Sequence, residues 1–375
     1  MIEVDISILR WFPHGGLQRD CLAAARACHD AGHRVRILTL RWDGPRPEGI
    51  AIEELSVPGR TNHARAEHFE RAIEERAGDG EERVRPVRLG FDKQSGLDLY
   101  FAGDPCRAKR DRRKHGLLTR VLPRDRTFAR LERAVFAPDA PTRVLALTEA
   151  QVDEYVSEYG TPRDRIELLP PGLPVARVAE LRAARDRERL RDHLGLGPAP
   201  FLLCLGSDFR RKGFARAVEA LAHVPEAVLW VVGDDDGNQL RRLARRLGVA
   251  DRVRVSPGRD DVAELLHAAD VLVHPAHQEV AGMVIVEALT AGLPVVATDT
   301  CGYASWVERT DGGRVVGVDA DAAALGHATN AVLAQRDRHS TAALAWARTT
   351  DLGALHESVR AAVERVAEER ARLHS

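Results

Sequence analysis

Short runs of consecutive apolar residues alternate with longer amphipathic stretches along most of the chain. That rhythm predicts buried parallel strands separated by helices. The opening reads as a strand over Val4 to Leu9, a loop through Trp11 to Gly16, a helix from Leu17 to Ala31 stopped by Gly32, and a second strand from Val35 to Leu40. Val144 to Thr148 and Ile166 to Leu169 repeat the strand pattern before Pro170-Pro171-Gly172 interrupts it. A second series begins with the apolar run Phe201 to Gly206. It continues through strands at Val228 to Val232, Val253 to Val255 and Val271 to His274, with helices at Gln239 to Leu247 and Val262 to Ala269 between them. Leu352 to about Arg372 reads as a charged amphipathic helix.

The expected architecture is therefore α/β with two Rossmann-like domains. At 375 residues the chain is too long for one ordinary core. The expected bounds are 1–172 for an N-terminal, acceptor-side domain and 173–351 for a nucleotide-binding domain. Residues 352–375 are expected to form a helix that crosses back to the N-terminal domain.

The richest stretch runs from His274 to Leu289. A strand ends at His274, a polar turn follows, and a helix is expected to begin near Ala281 or Gly282. A small residue there leaves the first backbone N–H groups open to an anion. Glu279 precedes that helix and Glu287 lies inside it. Ionised carboxylates accept paired hydrogen bonds, which suits the hydroxyls of a sugar or ribose. The plainer alternative is a capping Glu followed by a solvated helix Glu.

Other loops offer matching chemistry. Ser207-Asp208-Phe209-Arg210-Arg211-Lys212-Gly213 follows an apolar strand, so Arg211 and Lys212 are candidate cations for a diphosphate. The turn Gly258-Arg259-Asp260-Asp261 could read a base through its backbone. Asp234, Asp235 and Asp236 resemble an Asp-x-Asp metal site, against the simpler reading of a solvated turn. In the first domain, Gly15 and Gly16 allow close backbone approach to a phosphate or sugar, or else only a tight turn, with Asp20 following on the helix. They do not form GxGxxG, which argues against a dinucleotide dehydrogenase. Asp104 ends an apolar run, as a site residue at the carboxyl end of a parallel strand would, or as an N-cap.

Charge changes the picture in one place only. Lys plus Arg (55) and Asp plus Glu (56) nearly cancel overall. Between Arg107 and Arg133, however, eleven cations face three acids, with Leu117, Leu118, Val121, Leu122, Phe128 and Leu131 interleaved. This pattern suits contact with anionic lipid, with Arg110, Arg112, Arg113 and Lys114 at its centre. A solvated basic face is the alternative. Nucleic acid is a weaker one, because stacking aromatics are nearly absent. Five scattered cysteines without a CxxC pair suggest a reduced cytosolic protein rather than a disulfide or zinc scaffold. The opening residues lack the basic and apolar regions of a signal peptide, and no run is long enough to span a bilayer. The expected location is the cytoplasm, with peripheral association at the inner membrane.

Glu279 and Glu287, eight residues apart and followed by Ala291-Gly292-Leu293-Pro294-Val295-Val296-Ala297-Thr298, resemble the motif of retaining family 4 glycosyltransferases of the GT-B fold. The resemblance extends through both domains. It rests on Phe12-Pro13-x-Gly15-Gly16-Leu17-Gln18-Arg19-Asp20, Thr61-Asn62-His63, Gly96-Leu97-Asp98-x-Tyr100-Phe101-Ala102-x-Asp104, Leu169-Pro170-Pro171-Gly172 and Gly206-Ser207-Asp208-Phe209-x-Arg211-Lys212-Gly213. Within the family these blocks are most similar to enzymes that glucosylate a heptose of the lipopolysaccharide inner core.

The resemblance implies two Rossmann-like domains facing a central cleft, glucose transfer from UDP-glucose with retention, and no metal or other cofactor. It also implies a lipid-anchored heptose acceptor, a basic stretch docked on the inner leaflet, and no nucleic-acid partner. By matching position, Gly16, Asp20 and Arg177 fall in the sugar or phosphate environment, and Arg211 and Lys212 bind the diphosphate, with Gly15, Ser207 and Arg259 as further donor-site candidates. Glu279 would hold glucose hydroxyls, Ala281, Gly282, Met283 and Val284 would supply amides, and Glu287 would hold ribose. Asp20, Asp104, Lys212 and Glu279 are the implied catalytic group. Asp104 stands where many members carry histidine, and the basic stretch is richer in Arg than such enzymes lead one to expect. Another donor, such as a heptose or an N-acetylhexosamine, or a UDP-sugar epimerase activity, is the alternative. No carboxylate pair is placed as in a retaining hydrolase, so same-face transfer suits the residues better.

Overall fold

The structure, a computed structural model, describes residues 1–13, 15–76, 85–107, 122–183 and 185–373. It divides into two compact units, Met1–Pro170 with Ala354–Ser375, and Pro171–Gly353.

The first unit is built on a seven-stranded sheet. Its strands are β1 (Glu3–Ser7), β2 (Arg34–Thr39), β3 (Ala51–Glu54), β4 (Val87–Gly90), β5 (Leu99–Phe101), β6 (Arg143–Ala146) and β7 (Ile166–Leu168). They run in the order β3-β2-β1-β4-β5-β6-β7, and each pairing is parallel. Because β1 is flanked by β2 on one side and β4 on the other, connections leave it in opposite directions. That switch point opens a crevice at the carboxyl ends of β1 and β4. The helix Gly16–Asp30 follows β1 and buries Cys21, Ala24, Ala25 and Cys28. The C-terminal helix Ala354–Leu373 belongs to this unit. It buries Leu355, Val359, Val363 and Val366, and His356 and Glu364 reach side chains at the first helix and its exit.

The helix Pro123–Phe136 carries the end of the basic stretch. Its first-turn proline needs no N–H donor there, and Leu131, Val135 and Phe136 face inward. Phe136 stacks on Tyr155 with centroids 4.1 Å apart. Leu131, read from sequence as part of a lipid-facing pattern, is instead core. Burying it stabilises the unit by roughly 1.5–3 kcal/mol. Glu132 is buried as well, accepting the Arg107 N–H at 2.9 Å and the Tyr159 hydroxyl at 2.6 Å and pairing with Lys93 at 2.8 Å.

The second unit holds β8 (Phe201–Leu205), β9 (Val228–Val232), β10 (Val253–Ser256), β11 (Val271–His274), β12 (Val295–Thr298) and β13 (Gly313–Val316). Their order is β10-β9-β8-β11-β12-β13, again parallel throughout. The central strands β8, β11 and β12 are buried along their whole length, as a sheet covered on both faces requires. Here the switch point lies between β8 and β11. The loops leaving those two strands are therefore the ones the fold brings together. Among the described residues, no helix is long and apolar enough to cross a membrane.

Candidate functional site

Gly213 is where the two switch-point loops of the second unit meet. Its φ is +66°, and a Cβ on it would lie 2.1 Å from the Pro275 carbonyl oxygen. Only glycine allows the β8 loop to close on the β11 loop in this way. The approach is fixed further by the His277 N–H, which donates to the Arg211 carbonyl at 2.9 Å.

This closure sets Arg211 and Lys212 around Glu279. Lys212 Nζ donates to Glu279 Oε2 at 2.6 Å, and the Arg211 guanidinium lies 3.1 Å from Oε1. Asp208 orients Arg211, accepting from its Nε at 2.9 Å and from its backbone N–H at 3.2 Å. Asp208 itself takes φ +60°, a conformation that Asp tolerates better than most residues. Burial alone would push the Glu279 carboxyl up. The cations Lys212 and Arg211 outweigh that and hold it well below the ordinary carboxylate range. In the same balance, burial opposes the Arg211 charge, but Glu279 and Asp208 prevail and raise its pKa.

After Glu279 the chain turns into the helix Met283–Thr290. It starts one or two residues later than the sequence pattern suggests, because Gly282 takes φ +81° and stands outside the helix as its N-cap. The Gly282 carbonyl accepts from Ile285 N–H at 2.8 Å, and Ala281 O accepts from Tyr303 N–H at 2.7 Å. The first amides of the helix point out of its N-terminus, where an anion is favoured. Glu287 is buried inside the helix and accepts from Arg177 Nε at 2.9 Å, which rules out the solvated-Glu reading. Arg177 also donates to Glu180 at 2.7 Å, and these two carboxylates hold its pKa up against the opposing effect of burial.

Ser207 Oγ accepts from the Asp234 N–H at 3.2 Å, so the ends of β8 and β9 are also tied together. Asp234, Asp235 and Asp236 each accept a backbone N–H, from Gly258, Phe209 and Asn238 at 2.8, 2.8 and 3.0 Å. They serve as turn acceptors, and among the described residues no group of three or more His, Cys, Asp or Glu could hold a metal. Arg259 folds back on Asp261, donating from Nε at 2.6 Å, and lies 5.2 Å from the centroid of the Trp230 ring.

The sequence-predicted residues of the first unit gather at its own switch point. A Cβ on Gly16 would meet nothing within 4 Å, so the backbone there is open to close approach, whereas one on Gly15 would strike Gln18 and Phe12. Asp20 is buried and lies 3.1 Å from His356 Nε2 of the C-terminal helix. Asp92 follows β4 and accepts the Leu9 N–H, beyond the end of β1, at 2.6 Å. Burial and the nearby Asp104 carboxylate push its pKa up to about 7. Asp104 follows β5 and is partly exposed. Arg110, Arg112, Arg113 and Lys114 lie outside the described residues. Of their neighbours, Arg107 is paired with Asp125, and Arg130 with Glu70 at 2.5 Å.

Residues 186–344 match the model of the family described as glycosyl transferases group 1. Over 323 residues the chain is 39% identical to the lipopolysaccharide glucosyltransferase WaaG of Escherichia coli strain K12, covering 84% of each protein. The family follows from that match. This chain belongs to the WaaG family of group 1 glycosyltransferases. A crystal structure of WaaG, a glycosyltransferase involved in lipopolysaccharide biosynthesis, superposes with a TM-score of 0.90 at 36% identity, covering 96% of this chain and 99% of that one. The enzyme thus has the GT-B fold. HepE of Anabaena in complex with UDP-glucose shares that fold at 16% identity, with a TM-score of 0.74 over 98% of this chain and all of that one.

Within this WaaG-family enzyme the second-unit candidates form two groups. Arg211, Lys212 and Glu279 touch directly, and Arg177 pairs with the buried Glu287. Arg259 is committed to its own turn. Sequence reasoning passed over four residues. Asp208 sits inside a quoted motif, but its role in aiming Arg211 needs the loop geometry. Asp92 and His356 become visible only when β4 and the C-terminal helix are brought beside β1 and Asp20. His274 was read only as the end of an apolar strand, yet it lies 3.7 Å from Glu279.

Proposed function

We propose that this enzyme transfers glucose from UDP-glucose to a heptose of the lipopolysaccharide inner core, with retention and without a metal ion. The observation that carries the reading is the pair Arg211 and Lys212 held on Glu279 beside a helix start at a Rossmann switch point, in a chain 39% identical to WaaG. Fixed cations neutralise the charge that develops on a departing diphosphate. Glu279 binds sugar hydroxyls, the amides following Gly282 approach the diphosphate, and Glu287 with Arg177 sits by the ribose. The acceptor hydroxyl oxygen bonds to the anomeric carbon on the face from which UDP departs. Its proton passes to the leaving phosphate oxygen as the bond from carbon to that oxygen breaks. Catalysis is then positioning and charge stabilisation.

The acceptor in this reading is lipid-anchored, so the enzyme works on the cytoplasmic leaflet and the basic stretch holds it there. The deciding experiment incubates the protein with a panel of nucleotide sugars and heptose-terminated lipid acceptor, and records product masses. A single hexose added only from UDP-glucose is the expected result. Addition from another donor would replace the donor assignment, and nucleotide-sugar turnover without acceptor modification would replace the transfer reading with an epimerase or hydrolase.

A further inference from the structure

His274 is the last residue of β11 and is fully buried, yet among the described residues neither Nδ1 nor Nε2 has a hydrogen-bond partner. Buried polar side chains without a partner are uncommon in folded proteins, so this one calls for a specific cause. Burial, reinforced by Lys212 and Arg211, outweighs Glu279 and pushes the imidazole below its ordinary pKa. It is thus neutral near pH 7, with one ring N–H to donate.

Among the described residues, Glu279 is an acceptor within near reach of the ring. Phe214 meets the ring edge-on, with centroids 6.5 Å apart. The thiol of Cys301 lies 3.8 Å from the His274 carbonyl, not from the ring. Lys212 and Arg211 carry donors only. Glu279 Oε2 lies 3.7 Å from Nε2, too far for a hydrogen bond but within about 1 Å of one. That oxygen is drawn instead to Lys212, at 2.6 Å.

The two cations on Glu279 are the same two assigned above to the donor diphosphate. The Glu279 carboxylate balances the charge of both. A diphosphate carries more charge and competes for both cations, and Glu279 then needs another holder if it is to face the sugar. We propose that His274 is a positioning residue: it takes over the Glu279 carboxylate through Nε2–H when the donor diphosphate draws Lys212 and Arg211 away. A neutral donor suits the task, because a third cation would compete for the diphosphate. The inference rests on the donor reading given above.

The test compares His274→Gln, His274→Asn and His274→Leu with wild type. Glutamine places its amide N–H near the Nε2 position, whereas asparagine reaches only toward Nδ1, and both bury the same polar group. A merely structural need for polarity treats the two alike. The expected result is that the Gln variant stays within about threefold of wild type in kcat/KM for UDP-glucose, while the Asn and Leu variants fall about tenfold or more. Affinity for UDP alone, which lacks the sugar, should change by less than about threefold in all of them. Equal activity of the Gln and Asn variants, whether both high or both low, overturns the proposal. The Gln and Asn pair decides even if the Leu variant fails to fold, with thermal melting recorded for each. Wild type that neither binds nor turns over UDP-glucose sinks the donor reading, and this inference with it. Wild-type turnover that is lost in Glu279→Gln but kept in every His274 variant sinks this inference alone.

Discussion

Lys212 Nζ and Glu279 Oε2 are 2.6 Å apart, although their residues leave different strands, β8 and β11. The bond exists because those strands are neighbours across the switch point, which places one cation beside the carboxylate expected to bind the sugar. Lys212→Ala should therefore lower transfer while the protein remains folded. Losing one fixed donor to developing diphosphate charge costs about 3–4 kcal/mol, roughly a hundred- to thousandfold in rate. Steady-state kinetics beside a melting curve checks this, and a rate within about threefold of wild type would remove Lys212 from the chemistry.

Asp92 supplies a pH signature in the first unit. Its carboxyl is pushed from an ordinary value of 3.8 up to about 7 by burial and by Asp104. The folded state therefore holds a proton that the unfolded chain has released between those two values. Stability should fall as pH rises through that window, with the penalty fully developed above about 7. Asp92→Asn keeps an acceptor for the Leu9 N–H and removes the ionisation. The variant should melt higher than wild type at pH 8, and the gap should close by about pH 4. A constant offset across the range would show that Asp92 does not titrate there.

The sequence made the strands legible wherever a sheet is covered on both faces. Phe201 to Leu205 and Val271 to His274 read as uninterrupted apolar runs because neither face meets water. Arg211, Lys212, Glu279 and Glu287 were legible because each follows or lies near such a strand and carries charge the core would not otherwise accept. Long-range pairings were not. Nothing in the chain's periodicity places His356 beside Asp20, 336 residues earlier, or Leu9 N–H on Asp92. Leu131 was misread because an amphipathic helix shows which face is apolar, not whether protein or lipid covers it.

Metal independence is a third expected outcome. Transfer should survive excess EDTA, because Arg211 and Lys212 supply the charge a metal would otherwise bring. Asp234, Asp235 and Asp236 are each occupied by a backbone N–H. Loss of activity with EDTA and its return with manganese would make that turn a metal site after all.

Glu287→Gln tests the ribose assignment. It keeps the side chain's shape but removes the charge from the buried partner of Arg177. UDP and UDP-glucose should both bind more weakly, by about tenfold, which corresponds to about 1.4 kcal/mol. Calorimetry with UDP alone separates the alternatives. Unchanged affinity together with a lower melting temperature would mean that Glu287 serves only to anchor Arg177.

The last prediction concerns the basic stretch between Arg107 and Arg133, where cations exceed acids by eight. Part of it is already accounted for, since Arg107 and Arg130 are in ion pairs and Leu131 is core. Arg110, Arg112, Arg113 and Lys114 are the residues assigned to membrane contact, and Arg124, Arg126 and Arg133 beyond them are exposed. Each cation near an anionic surface contributes about 1 kcal/mol, so four supply about 4 kcal/mol, close to a thousandfold enrichment at the membrane. Attraction of this kind fades with salt, because the screening length falls from about 10 Å at 0.1 M to about 3 Å at 1 M. Wild type should sediment with anionic vesicles at low salt and remain in solution at high salt. Changing all four residues to Glu should abolish sedimentation while leaving UDP affinity intact, since none is assigned to the donor site. If the charge-reversed protein still bound vesicles at low salt, or wild type never did, the stretch would be an ordinary solvated face and another part of the enzyme would have to find the lipid.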